Sequence, residues 1–132
     1  MEANEFLQKY RSGQKTFANV SLVGIDLQAI DLHKIDLSYA LMSKANFAGA
    51  KLCRSNLTGA DLSYANLNGA DLHRANLRHA NLKGADLRKA DLRGADLRGA
   101  NLSWANLQET RFEGAQMTNV NLDNTSSTRW LK

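Results

Sequence analysis

From Thr16 to Thr125 the chain divides into 22 consecutive blocks of five residues without an insertion, and the second residue of every block is apolar. That residue is Leu in 17 blocks, Phe at Phe17, Phe47 and Phe112, and Met at Met42 and Met117. Two positions earlier stands Ala in 14 cases, and otherwise mostly Val20, Ile25, Ile30, Ile35 or Val120; the residue between is Asp or Asn in 16 blocks. On an α-helix five steps turn each leucine about 140° from the last, so the leucines would share no face. A helix is excluded for the body of the chain. The Ala-x-Leu spacing is two residues, the strand period, which points both side chains inward and Asp or Asn outward. Two further outward residues follow, often including Gly59, Gly69, Gly84, Gly94 or Gly99, and they suit a turn.

Each block therefore reads as a short extended edge and a corner. Corners of about a right angle would close a coil after four edges, with successive coils stacked at the strand spacing of about 4.8 Å. Leu then stacks on Leu, and Ala fits where a larger side chain would crowd the axis. Proline would delete a donor from such a ladder, and the chain has none. The repeat Ala-(Asp/Asn)-Leu-x-x, clearest from Ala60-Asp61-Leu62 to Ala105-Asn106-Leu107, resembles the pentapeptide-repeat family. That resemblance implies an all-β solenoid, a right-handed quadrilateral β-helix with four blocks per coil, here about five and a half coils from 22 blocks. The opening segment is similar to that of cyanobacterial members.

Three segments follow: residues 1–15, 16–125 and 126–132. In the first, residues 4–12 read as a capping helix, with Asn4 as N-cap, Phe6, Leu7 and Tyr10 on one side and Gly13 past the end. Val20, Ile25, Ile30 and Ile35 fit a wider first layer beneath it. In the last segment, Trp130 and Leu131 are placed to cap the final coil or to meet a second copy, so the chain is expected to be a monomer or a C-terminal end-to-end dimer. No stretch approaches a membrane span and the first residues are acidic, unlike a signal peptide. With the single Cys53 this fits a reducing, cytoplasmic setting.

The net charge of +4 invites a nucleic-acid reading until it is located. Residues 20 apart share a column, and the face centred on Leu32, Leu52, Leu72, Leu92 and Phe112 is the most charged, at +2. Its column Lys34, Arg54 and Arg74 is the candidate basic site, but Asp31, Asp71, Asp91 and Glu113 share the face. The solenoid as a whole is only +1, the other +3 lying at the two ends. A phosphate-tracking surface needs an uninterrupted positive stripe, so nucleic-acid binding is disfavoured. His33, Cys53 and His73 also form a column, but their spacing on parallel rungs does not converge on a metal at about 2.0–2.3 Å. No metal or other cofactor is expected.

More informative are outward apolar residues where the repeat calls for polar ones. Leu41 replaces Asp or Asn, and Val23, Tyr64 and Trp104 stand on the same face. These four form the candidate partner-binding patch, set against the alternative that large rings merely shield corner backbone. There is no set of nucleophile, base and orienting group, and a filled interior leaves no evident cavity for a small-molecule substrate. The sequence is thus read as a non-catalytic protein–protein interaction module or scaffold with an unknown protein partner. The resemblance supplies an alternative, topoisomerase interaction by DNA mimicry as in pentapeptide proteins linked to quinolone resistance. Those proteins are strongly acidic, and a net charge of +4 disfavours the alternative.

Overall fold

The computed structural model describes residues 1–126. From Thr16 onward each second-position neighbour, the residue before the central Leu, makes a parallel bridge to the residue 20 further on, in an unbroken series from Thr16–Asp36 to Asn101–Asn121. One turn of the chain therefore takes four blocks. The edges are single bridges rather than extended strands, because a corner interrupts the backbone every five residues.

Within a block the hydrogen bonds follow one rule. The Leu62 N–H donates to the Asn81 carbonyl (2.7 Å) and the Tyr64 N–H to the Lys83 carbonyl (2.8 Å), both on the following rung. The Asp61 N–H points the other way, to the Ala40 carbonyl (2.9 Å) on the preceding rung. The Ala65 N–H closes the corner on the Leu62 carbonyl (3.0 Å). The fifth donor explains the Asp/Asn preference: in all 16 blocks with Asp or Asn, its Oδ1 accepts the N–H two residues on, at 2.9–3.3 Å. Such a side chain satisfies a corner donor that no rung can reach.

The corners carry a conformation the glycine pattern understates. The third corner residue is left-handed in every block, with φ between 58° and 77°, as a type II turn requires. Glycine occupies it in 8 blocks; in the other 14 a residue with a Cβ is held there, including Tyr39, Arg54, Tyr64, His79 and Trp104. Hydrogen bonding to neighbouring rungs fixes the backbone and overrides the local preference.

The interior is a column of Leu and Ala. Every central Leu from Leu22 to Leu107 is buried to 1% exposure or less, and the partner Ala residues from Ala40 to Ala105 likewise. Ser55 takes an Ala position and is also buried; its hydroxyl donates to the Leu52 carbonyl (2.7 Å) of its own corner. Phe112, Met117 and Leu122, in the last rungs, are only partly covered.

Helix α1 (Ala3–Arg11) precedes the first rung. It begins earlier than the sequence reading had it: the N-cap is Glu2, without a side-chain capping bond, and Asn4 lies inside the first turn. Glu5 near its start, with Lys9 and Arg11 in its last turn, complements the helix dipole. Phe6 is fully buried against Phe17 with ring centroids 4.6 Å apart, and the Lys15 ammonium stands 3.9 Å above the Tyr10 ring. In this first coil Ile35 and Ile25 are buried, whereas Val20 and Ile30 are only partly covered. Trp130 and Leu131 lie outside the described residues. No described helix is long and apolar enough to cross a membrane.

Candidate interaction site

All four patch residues are exposed, Val23 at 56%, Leu41 at 49%, Tyr64 at 54% and Trp104 at 63%. They lie on one face, but on different rungs, and the structure brings only two of them together. Tyr64 and Trp104 line a surface cleft of about 480 Å³ with Lys83 and Gly84. Val23 and Leu41 stand on the first two rungs of the face, away from that cleft.

The cleft follows from the corner geometry. A left-handed corner directs its side chain toward the next rung, so the Tyr64 ring lies across Gly84. A Cβ on Gly84 would come 2.5 Å from Tyr64 Cδ1. Glycine there is a matter of space as well as φ (+67°), since any side chain would displace the ring. Trp104 stands one rung further on, so an aromatic residue, a glycine and a second aromatic residue follow one another up the column. Lys83 forms one rim.

Leu41 has a distinct local consequence. It lacks the side-chain acceptor of the repeat, so the Ser43 N–H has no Oδ1 to donate to, whereas the Ser63 and Ser103 N–H groups donate to Asp61 and Asn101. An exposed apolar side chain thus stands where a hydrogen-bonding one would complete the corner.

A fifth large exposed residue, Tyr39 at 58%, was not among the sequence candidates. Its ring covers Gly59 as Tyr64 covers Gly84, and His79 covers Gly99 in the same way. The signal was present as an aromatic or imidazole ring followed 20 residues later by glycine. It also gives substance to the shielding alternative: these rings do cover corner backbone.

The basic column is exposed at Lys34, Arg54 and Arg74, with Arg74 folded back over Gly94. Its neighbours are not a positive stripe. Asp31 meets the His33 ring Nδ1 at 2.8 Å, and that bond holds the Asp31 carboxyl below its usual range. Asp91 receives Arg93 Nε and Nη2 at 2.9 and 2.8 Å. Arg88 and Arg98 grip Asp86 and Asp96 in the same two-pronged way, so three successive edges of one coil carry paired charges. The guanidinium hydrogen bond is the main cause that lowers each of these three aspartates. Of the histidine–cysteine column, His33 is engaged by Asp31, and Cys53 and His73 are half-buried. Among the described residues no group of three or more His, Cys, Asp or Glu side chains is placed to hold a metal.

Comparison with known proteins agrees with this architecture. Residues 21–59, 55–94 and 95–126 match the family model for pentapeptide repeats, in 8 copies. Rfr23, a pentapeptide repeat protein from the cyanobacterium Cyanothece 51142, is 28% identical; the match covers 91% of this chain and 99% of that one, with a TM-score of 0.58. The protein alr5209 from Nostoc Pcc 7120, also a pentapeptide repeat protein, is 37% identical over 87% of this chain and 94% of that one, with a TM-score of 0.40. A trypsin-treated variant of QnrB1, a plasmid-mediated fluoroquinolone resistance protein, is similar in fold alone, at 21% identity and TM-score 0.69 over 88% of this chain and 63% of that one. No curated protein sequence matches at a significant level.

Proposed function

Since this chain belongs to the pentapeptide-repeat family, whose members fold as right-handed quadrilateral β-helices, we propose that it is a non-catalytic protein-interaction module, a rigid rod presenting flat faces to a protein partner. The observation that carries this reading is the face with Val23, Leu41, Tyr64 and Trp104, four large apolar side chains about half exposed or more over an interior that is already filled. At Leu41 the apolar side chain also replaces the hydrogen bond that the 16 Asp and Asn blocks make. Tyr and Trp are the side chains most often found at the energetic centre of interfaces. We take the rod to be about five and a half coils long, sealed at its first coil by α1 and working in the cytoplasm. The basic column Lys34, Arg54 and Arg74 is a second contact surface, of mixed charge and correspondingly weaker.

The reading is tested by affinity capture from native lysate with the wild-type chain and a Leu41→Asp/Trp104→Ala variant. Loss of specific partners from the variant, with unchanged circular dichroism and melting, supports the patch. An identical set of partners from a folded variant overturns it. A chain of net charge +4, whose solenoid is nearly neutral rather than acidic, is poorly suited to the alternative of DNA mimicry, and a supercoiling assay with gyrase, with and without quinolone, tests that directly: no protection is expected.

A further inference from the structure

We propose that the Tyr64–Gly84–Trp104 cleft takes an aromatic or large aliphatic side chain from an acidic segment of the partner, with carboxylates on either side of that anchor. This rests on the interaction-module reading and names the chemistry of what docks.

Three observations point the same way. The first is shape. The cleft is an open surface depression of about 480 Å³, and its walls are two rings on either side of a glycine. The second is rigidity. The Tyr64 ring lies across Gly84, and both residues are held in left-handed corners by the rung ladder, so the backbone beneath this wall is set before anything binds. Preorganised walls reduce the entropy lost on association.

The third is charge. Lys83 lines the cleft, and Lys44 stands in the same corner column one rung before Tyr64. Both ammonium groups are exposed, and neither forms an ion pair among the described residues. The nearest carboxylate on the face, Asp61, accepts the Ser63 N–H at 3.0 Å and its hydroxyl at 2.7 Å, and is turned to its own corner. Elsewhere on the solenoid, Arg88, Arg93 and Arg98 are each neutralised by an adjacent aspartate. The cleft thus carries one unpaired positive charge in its lining, Lys83, with a second, Lys44, in the same column beyond Tyr64. A cationic ligand attracted by the ring faces would be repelled by them, and a purely apolar one would leave them unanswered. An apolar anchor between acidic residues matches both features.

The full chain is titrated against fluorescein-labelled peptides, read by anisotropy: Gly-Glu-Glu-Phe-Glu-Glu-Gly, its Lys-for-Glu counterpart, and the acidic peptide with Ala for Phe. The acidic Phe peptide is expected to bind at least tenfold more tightly than either control, and to weaken as salt is raised. Trp104→Ala should weaken it at least tenfold. The double reversal Lys44→Glu/Lys83→Glu should invert the preference toward the Lys peptide, an outcome that misfolding cannot produce. Equal binding of the acidic and basic peptides, or no binding of the acidic Phe peptide at millimolar concentration, overturns the proposal. The two readings fail separately: lysate partners lost with the patch variant but not displaced by the acidic peptide refute only this chemistry, whereas partners indifferent to the patch variant refute the module reading itself.

Discussion

Replacing Gly84 by Ala is expected to destabilise the protein by about 2 kcal/mol, roughly twice the effect of the same change at Gly69. The two glycines have nearly the same backbone, φ +67° and +68°, and both sit at corners of the ladder. A Cβ in the left-handed region costs about 1–2 kcal/mol, less the gain of about 0.4–1 kcal/mol from stiffening the unfolded chain, so each site loses about 1 kcal/mol. At Gly69 the added Cβ has nothing within 4 Å, and the effect ends there. At Gly84 it would collide with the Tyr64 ring, which must swing away. Tyr64 is 54% exposed, so a little under half of its surface is covered; losing that cover forfeits about 1 kcal/mol of a full aromatic burial. Urea unfolding measures both, and the difference should also show as a lower Tm by about 4 °C. In a Tyr64→Ala background the excess should vanish, leaving Gly84→Ala as mild as Gly69→Ala. Equal effects in the wild-type background, or an excess that persists without Tyr64, would refute the placement of the ring and with it the preformed wall of the cleft.

Other changes probe different parts of the structure. Leu41→Asn restores an acceptor for the Ser43 N–H, offsetting the lost side-chain cover, so the melting curve should stay within about 1 kcal/mol of wild type while partner capture falls. Ser55→Ala returns a buried site to the residue most blocks hold there; the Leu52 carbonyl keeps the Ser55 N–H at 3.2 Å, and stability should be unchanged or raised by up to about 1 kcal/mol in urea. Asp86, Asp91 and Asp96 are held below their ordinary value near 3.8 by Arg88, Arg93 and Arg98, so the folded chain binds fewer protons there than the unfolded one. That contribution is complete above about pH 5 and is lost as pH falls through 4 and below. The triple change of these arginines to Gln should therefore move acid unfolding, followed by circular dichroism, to higher pH.

The solenoid was legible because its period is incompatible with a helix and because inward and outward positions alternate without interruption. Leu62 and Ala65 announce the interior in any window. The corners were less so, since glycine marks only some of them; Lys34, Arg54 and Tyr64 are left-handed although nothing in their own chemistry favours it. That conformation is imposed by rungs 20 residues away, which local propensity does not see. The helix start was misplaced because Asn4 looks like a cap, whereas Glu2 takes that position in the fold. Of the site, exposure could be read from departures from the repeat, but the cleft could not. It needs Lys83 and Gly84, both ordinary corner residues, and becomes visible only when the column is followed at the 20-residue offset.

The direction of the ladder has an electrical consequence. At each edge two N–H groups point toward the following rung and one toward the preceding rung, as Leu62, Tyr64 and Asp61 illustrate. The peptide dipoles therefore do not cancel along the rod; one bond vector per edge is left over, four in each coil. Aligned peptide dipoles add, and the partial positive charge gathers where N–H groups end the stack. In this solenoid that is the high-numbered end, opposite to an α-helix of the same chain direction. The low-numbered end is carbonyl-rich, and the Met1 ammonium lies against it, donating to the Ser21 carbonyl at 3.0 Å. The ladder itself is polar along the axis of the rod, led by N–H groups at one end and by carbonyls at the other.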